Sequence, residues 1–473
     1  MARLLLSFIF VTFAYVLHDG RLIAQAAPSS QLIEHLPGQP DVGFKQYSGY
    51  VTVNASAGRA LFYYFAEVDA NPFHKHHATD YPVTLWLNGG PGCSSIGGGA
   101  FTELGPFFPR SDGRGLRKNK YSWNKVTNII FLESPAGVGW SYSNTTTDYT
   151  SFGDAKTAED SLAFLLGWLQ LFPEYKENDF YITGESYAGH YVPQLASLML
   201  SYKGPDGFKF NLKGIAIGNP LLQLAVDAAS TYDYLWSHGI ISDLVYDDIV
   251  SHCNFEDYTL SSPSNNVSSS CNSSLQDANN ELGDYVNNYD VTLDVCYPSL
   301  VQQELLLRKK VAHISNGVDV CITSERTFYF NMPEVQQALH ANFTTLGYPW
   351  SMCSGVLQYH LEDANIDMLP SLRALHIQGI RILIFSGDQD SVVPFIGTRS
   401  LVRQLAGSLR LRASVPYSAW YDRRQVGGWT VQYGKNLTFA TVRGAAHMVP
   451  YSQPSRALTM FRNFLGGRKL PTQ

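Results

Sequence analysis

Charge is scarce in this 473-residue chain: Asp, Glu, Lys and Arg make up 16% of it, against about 25% in an ordinary soluble domain. Its 34 basic residues are outnumbered by 40 acidic ones, for a net charge of −6. With no basic surplus to draw phosphate, nucleic acid and anionic membranes are excluded as partners. Past the first two dozen residues no apolar stretch is long enough to cross a bilayer. The six cysteines contain no C-x-x-C pair, so neither a zinc ribbon nor a dithiol redox centre has a framework. HKHH at 74–77 has no acid or thiol at ligand spacing and reads as a solvated loop; no metal and no cofactor is expected. There is no internal repeat, and the closing GRKLPTQ is not an ER-retention signal.

The first residues carry a leader. Arg3 is a small basic start, Leu4 to Leu17 an apolar core, and Ala24-Gln25-Ala26 a small-x-small cleavage pattern, so residues 1–26 read as a signal peptide. Once it is removed, nothing holds the chain to a membrane, and the destination is extracellular or vacuolar. Asn54, Asn144, Asn266, Asn272, Asn342 and Asn436 each open an N-x-S/T triplet without a middle proline and are glycosylation candidates on that route. In an oxidising compartment Cys93, Cys253, Cys271, Cys296, Cys321 and Cys353 form three disulfides, with fifteen pairings open.

Six short apolar runs read as strands buried on both faces: VTLWL (83–87), NIIFLE (128–133), FYIT (180–183), GIAI (214–217), RILIFSG (381–387) and FATV (439–442). Between them, 151–173 carries a helical stripe (Ala158, Leu162, Leu165, Leu169, Phe172) with Ser151 and Asp154 spaced as a cap. Strands alternating with helices predict a mostly parallel sheet between helical layers. The alternation lapses from about 220 to 370, where five cysteines and SSPSNNVSSSCNSS lie. The expected plan is a core of 27–219 and 371–473 with a disulfide-rich, partly helical cap of 220–370 inserted. Arg308-Lys309-Lys310 within it reads as a solvated helix face, with an exposed processing site as the alternative.

The chemistry gathers at strand ends. In FYITGESYAGHYVP, Gly-Glu-Ser-Tyr-Ala-Gly leaves almost no loop between a strand and a helix, which forces Ser186 onto a strained turn with its hydroxyl outward. A serine nucleophile needs a base, an orienting acid and an oxyanion hole. Downstream, the 381–387 strand leads to Gly387-Asp388-Gln389-Asp390 and the 439–442 strand to His447, in the Ser, Asp, His order of nucleophile-elbow enzymes. Asp390 lies further past its strand and is assigned to the triad; Asp388 is assigned to brace the loop. LNGGPGCSSIGGG follows the first strand, without the G-K-[ST] of a phosphate loop. Gly89 and Gly90 admit close backbone approach, so the N–H groups of Gly90 and Tyr187 are the predicted oxyanion donors.

LWLNGGPGCSS, ELGPF, ESPAGVGWSYS, GESYAG, GDQDSVVP and GAAHMVP occur in this order between about residues 40 and 465. In these motifs the chain resembles the serine carboxypeptidases, S10-type α/β-hydrolases, with the plant serine carboxypeptidase-like group the nearest in look. Ala188 stands where the general G-x-S-x-G pattern has its second glycine, as in that family. The resemblance implies an α/β-hydrolase fold and removal of C-terminal residues from peptides or proteins through an acyl-enzyme, best in acid. It implies that Glu185 binds the substrate's terminal carboxylate, that Asn88 donates to it, that Glu103 shares their network, and that Trp86 and Gly89 line the pocket. It implies the pairs Cys93–Cys353, Cys253–Cys271 and Cys296–Cys321, and a homodimer as in many relatives. Two other activities occur in such proteins: acyl transfer from glucose esters, and stabilisation of partners by a glycoprotein. Residues 416–429, with Asp422, Arg423 and Arg424, are expected to shape the pockets around the scissile bond.

Overall fold

A strand buried on both faces must place alternate side chains in two separate cores, and the six predicted runs do so. The structure, a computed structural model, describes residues 28–69, 77–204, 207–260, 266–344 and 346–472. The leader at 1–26 and three residues of the HKHH stretch, His74 to His76, lie outside these. The large sheet is built from β1 (Gln46–Asn54), β2 (Arg59–Ala66), β3 (Val83–Leu87), β4 (Asn128–Leu132), β5 (Phe180–Glu185), β6 (Leu212–Gly218), β7 (Arg381–Gly387), β8 (Ala413–Asp422), β9 (Gln425–Tyr433) and β10 (Leu437–Val442). They lie in the order β1-β2-β4-β3-β5-β6-β7-β10-β9-β8. The six middle strands are parallel, and each matches one of the predicted runs. Leu85, Ile130, Ile182, Ile215 and Ile384 face one core; Trp86, Phe131, Tyr181, Ala216 and Phe385 face the other.

Helices α1 (Asp154–Leu171) and α2 (Ala188–Ser201) cover the first face. The C-terminal helix Pro454–Leu465 and a π-helix, Ile96–Glu103, cover the second. The stretch between β6 and β7 is mainly helical, and its Ser/Asn-rich part ends in a helix, Ser269–Leu282, started by Ser268 Oγ accepting from Cys271 N–H. Three disulfides join Cys93 to Cys353, Cys253 to Cys271 and Cys296 to Cys321. No described helix is long and apolar enough to cross a membrane.

Three local expectations are corrected. Residues 413–433, with the 416–429 stretch expected to shape pockets, form the edge hairpin β8–β9, with exposed and half-buried residues along much of β8. Asp422 accepts from Ser455 and Thr459 on the C-terminal helix, Arg423 donates to Tyr121 and, with Arg424, takes the positive-φ turn; these contacts dock the hairpin and do not reach a strand-end site. Ser151 does not cap α1: its hydroxyl donates to Asp148 O, while Asp363 Oδ2 accepts from Asp154 N–H at 2.7 Å. Arg308, Lys309 and Lys310 follow the helix Pro298–Leu306 instead of lying on it.

Because the six central strands are parallel, the loops after β3, β5, β6, β7 and β10 leave the sheet at one edge. Open α/β sheets bind their ligands at that carboxyl edge.

Candidate active site

β5 runs into Ser186 without a loop, and Ser186 takes φ 61°, a left-handed conformation that a residue with a Cβ adopts only under constraint. The constraint is visible. Ser186 N–H donates to Gly218 O at 3.0 Å, and its carbonyl accepts from Gly189 N–H at 2.9 Å and Leu221 N–H at 3.0 Å. A Cβ on Gly184 would stand 2.4 Å from Leu87 O, and one on Gly189 2.1 Å from Leu221 O, so the elbow needs both glycines. The half-buried hydroxyl of Ser186 takes no hydrogen-bond partner among the described residues.

β7 and β10 deliver the other two candidates. His447 Nδ1 lies 2.7 Å from Asp390 Oδ2, with both residues buried. Burial alone would lower the imidazole pKa, but the charge and hydrogen bond of Asp390, with Glu103 behind, carry it above the ordinary histidine value. Asp388 accepts from Gly444 N–H at 2.6 Å and from Gln389, tying its loop to the turn before His447, which is the bracing role expected of it.

The loop after β3 abuts the elbow. A Cβ on Gly89 would lie 2.4 Å from Tyr187 N, and Gly90 sits at φ 117°. Neither Gly90 N–H nor Tyr187 N–H has a backbone acceptor among the described residues, so both predicted donors are free. The disulfide to Cys353 holds this loop, helped by Ser94 N–H donating to Met352 O and Ser354 N–H to Gly92 O.

Beside the elbow, Asn88 organises a buried carboxyl pair. Its Oδ1 accepts from Trp86 Nε1 at 2.6 Å and Gly99 N–H at 2.9 Å, which fixes the amide's orientation. Its Nδ2 then donates to Glu185 Oε1 at 2.8 Å and Glu103 Oε1 at 3.0 Å. Both amide hydrogens are thereby engaged, so a substrate carboxylate reaches Asn88 only by taking one of them from a glutamate. Burial, the charge of Glu103 and then that of Asp390 hold the Glu185 pKa well above the carboxylate range. Burial raises Glu103 too, but the hydrogen bond with Glu185, then Asn88, His447 and the buried Arg326, oppose the rise. Trp86, expected to line a pocket, is fully buried edge-on against Trp123 and serves to orient Asn88.

Sequence reasoning missed several residues here. Asn219, directly after β6, donates Nδ2 to Asp390 Oδ2 at 2.8 Å; an Asn-Pro pair behind a buried strand was its only signal. Arg326, fully buried, donates Nη1 to Thr102 Oγ1 and Gly97 O, reaching the π-helix that carries Glu103 from the helix Ile322–Phe330. A cavity of about 270 Å³ opens next to His447, lined by Ala446, Met448, Tyr289, Leu293, Asp290 and Asp319 among others. Asn144 and Asn266 are exposed and the other four glycosylation candidates half-buried.

The family model for peptidase S10, serine carboxypeptidase, matches residues 37–467. Serine carboxypeptidase-like 42 of Arabidopsis thaliana is 60% identical over 98% of this chain and 96% of its own. Serine carboxypeptidase-like 44 of the same plant is 56% identical over 96% and 93%. Among solved structures, Kex1(delta)p, a prohormone-processing carboxypeptidase from Saccharomyces cerevisiae, superposes with a TM-score of 0.72 at 22% identity, covering 93% of this chain and 95% of that one. That likeness shows the α/β-hydrolase fold, and the long, strong matches to plant relatives show the kinship: the chain belongs to the serine carboxypeptidase family.

Proposed function

We propose that the chain is a serine carboxypeptidase that releases C-terminal residues from peptides in acid, with Ser186 as nucleophile, His447 as base and Asp390 as its orienting acid. Ser186 Oγ attacks the scissile carbonyl carbon as His447 Nε2 takes its proton; Gly90 and Tyr187 N–H groups hold the oxyanion. The C–N bond then breaks as the imidazolium returns that proton to the departing amine. Water, activated by the same nitrogen, splits the resulting ester and frees Ser186. The observation that carries the carboxypeptidase reading over a general hydrolase is the buried Glu185–Glu103 pair under Asn88. A proton held on Glu185 lets it donate to a terminal carboxylate that an ionised pair would repel.

The leader at 1–26 and the six Asn sites fit a secreted or vacuolar glycoprotein whose core, 27–219 and 371–473, carries a cap at 220–370. An organophosphonate should label the chain at Ser186 and leave Ser186→Ala unlabelled, and a blocked dipeptide should be cleaved. Faster turnover of a glucose ester than of any blocked dipeptide would replace this reading with acyl transfer, and an unlabelled wild-type chain would remove the nucleophile.

The cavity beside His447 suits one side chain, being smaller than the about 300–1,000 Å³ of drug-sized pockets. Its wall Met448–Ser452 packs against the π-helix that carries Glu103, which supports a pocket for the side chain next to the terminal carboxylate. Asp290 and Asp319, which also line the cavity, are almost wholly buried, each with Oδ1 committed to a local turn and Oδ2 without a hydrogen-bond partner among the described residues. Burial holds both carboxyl pKa values above the ordinary range; Arg117 and His313 oppose that rise at Asp319, whereas the acids Asp390 and Asp388 add to it at Asp290, where a cation would relieve their repulsion. A basic terminal side chain is therefore favoured. In Ser186→Ala, which binds without turnover, a blocked dipeptide ending in Lys should bind about tenfold or more tighter than its norleucine counterpart. Asp290→Asn should erase most of that preference. Equal binding of the two peptides would overturn it.

A further inference from the structure

A catalytic triad works only if the acid and the nucleophile, carried by different strands, stay in register to within a fraction of an ångström. Here β6 runs between β5, which delivers Ser186, and β7, which delivers Asp390. The segment that leaves β6 touches both. Gly218 O accepts from Ser186 N–H, and Leu221 N–H donates to Ser186 O, so the residues on either side of the 219–220 pair clamp the nucleophile's backbone. Between them stands Asn219, fully buried and at φ 39°.

Its side chain reaches the other way. Oδ1 accepts from Gly387 N–H at 3.0 Å, and Nδ2 donates to Asp390 Oδ2 at 2.8 Å and toward Val393 O at 3.4 Å. The amide cannot be turned over, because Gly387 N–H can only donate and the Asp390 carboxylate can only accept. Its own N–H donates to Phe385 O at 2.8 Å, on the strand that leads to Asp390. Asp390 Oδ2 thus receives the Asn219 amide, Val393 N–H at 3.2 Å and His447 Nδ1 at 2.7 Å, while Oδ1 receives Val392 N–H at 2.8 Å. Besides His447, Asn219 is the only side chain that donates to Asp390 among the described residues.

We infer that Asn219 is a positioning residue of the triad: it locks Asp390 to the Ser186 elbow and, by sharing Oδ2 with His447, sets both the direction and the basicity of the imidazole. This rests on the roles proposed above for Ser186, His447 and Asp390. Without the amide, less of the carboxylate's negative charge is compensated, and it favours the imidazolium more. The imidazole then titrates at higher pH, and the neutral base is scarcer in acid, where the enzyme works.

Two variants of the full chain separate this role from packing. Asn219→Asp keeps the shape and can still accept from Gly387 N–H, but presents an acceptor to Asp390 in place of a donor. Asn219→Ala removes the group. The His447 titration is read by NMR, assigned against His447→Asn, alongside the pH dependence of phosphonate labelling at Ser186. We expect the imidazole to titrate higher in both variants, by roughly half a unit or more. The acid limb of labelling should move up by the same amount, and the plateau rate should fall about 10–100-fold, with the affinity for a C-terminal carboxylate product unchanged. If one variant does not fold, the other decides. An unshifted imidazole in a folded variant, or an Asn219→Asp chain labelled at the wild-type rate, overturns the inference. A wild-type chain that resists labelling sinks the catalytic reading instead, and the NMR titration still tests the contact.

Discussion

Replacing Asp390 with Ala is expected to lower kcat for a blocked dipeptide by about 10⁴-fold, while Asp388→Ala stays within about tenfold of the unaltered chain. Both aspartates follow β7, two residues apart, and differ only in what they hold. Asp390 places its Oδ2 against His447 Nδ1, so its loss frees the ring to turn and strips the charge that stabilises the imidazolium. Asp388 holds Gly444 N–H and Gln389, neither of which takes part in proton transfer. The pH profile gives an independent sign. Asp390 raises the imidazole pKa against a burial effect that lowers it. In Asp390→Ala burial acts with little opposition, the imidazole stays neutral to lower pH, and the acid limb of kcat/KM moves down even as the rate collapses. For Asp388→Ala that limb stays in place. Comparable losses in the two variants would mean that loop geometry, and not the acid at 390, governs the base.

The parts of this fold that were legible in sequence are those whose burial is uniform. Each central strand faces apolar side chains on both sides, so its run of Leu, Ile, Val and Phe survives without the surrounding structure. The strands outside the parallel centre escaped for two reasons. β8 is exposed along much of its length, which breaks any apolar run. β2 is buried throughout, but its tyrosines and phenylalanines do not tell strand from helix by periodicity. At the site, chain order and strand-end placement were enough to single out Ser186, Asp390 and His447 as candidates, and the fold brings the last two to 2.7 Å. Supporting residues were invisible for a different reason. Asn219, Arg326, Asp290 and Asp319 reach the site through contacts that only the sheet order and the packing of 220–370 create. His447 N–H, for example, donates to Tyr289 O and Ser391 N–H to Asn288 O, stitching a segment between β6 and β7 to the loops of the proposed base and acid. Trp86 shows the opposite error: its identity was read, but only coordinates reveal that its ring nitrogen is spent on Asn88.

The acid dependence should disappear when residue 185 cannot ionise. In the wild-type chain, affinity for a peptide with a free C-terminal carboxylate is expected to be highest in acid. It should fall about tenfold per pH unit once Glu185 begins to lose its proton, because the ionised form offers no donor and adds repulsion. The sign follows from the raised pKa: the neutral, binding-competent form is fully present below it and is lost as pH climbs through it. Glu185, and not Glu103, should carry this titration. Burial raises both, but the neighbouring carboxylate then pushes Glu185 further up, whereas the hydrogen bond from Glu185, and after it Asn88, His447 and Arg326, favour charge on Glu103. Glu185→Gln copies the protonated acid: Oε1 can still accept from Asn88 Nδ2, and Nε2 supplies the donor. Its affinity should stay nearly flat from acid to neutral pH and overtake wild type at the neutral end. Glu185→Ala removes the donor altogether and should bind about 10–100-fold more weakly in acid. An amide-capped peptide, having no charge to repel, should lose far less than the free acid as pH rises in the wild-type chain. Inhibition constants of the two peptides, measured across pH on the three chains, decide the matter. A Glu185→Gln profile that falls as steeply as wild type would move the titrating group elsewhere, with Glu103 the first to replace.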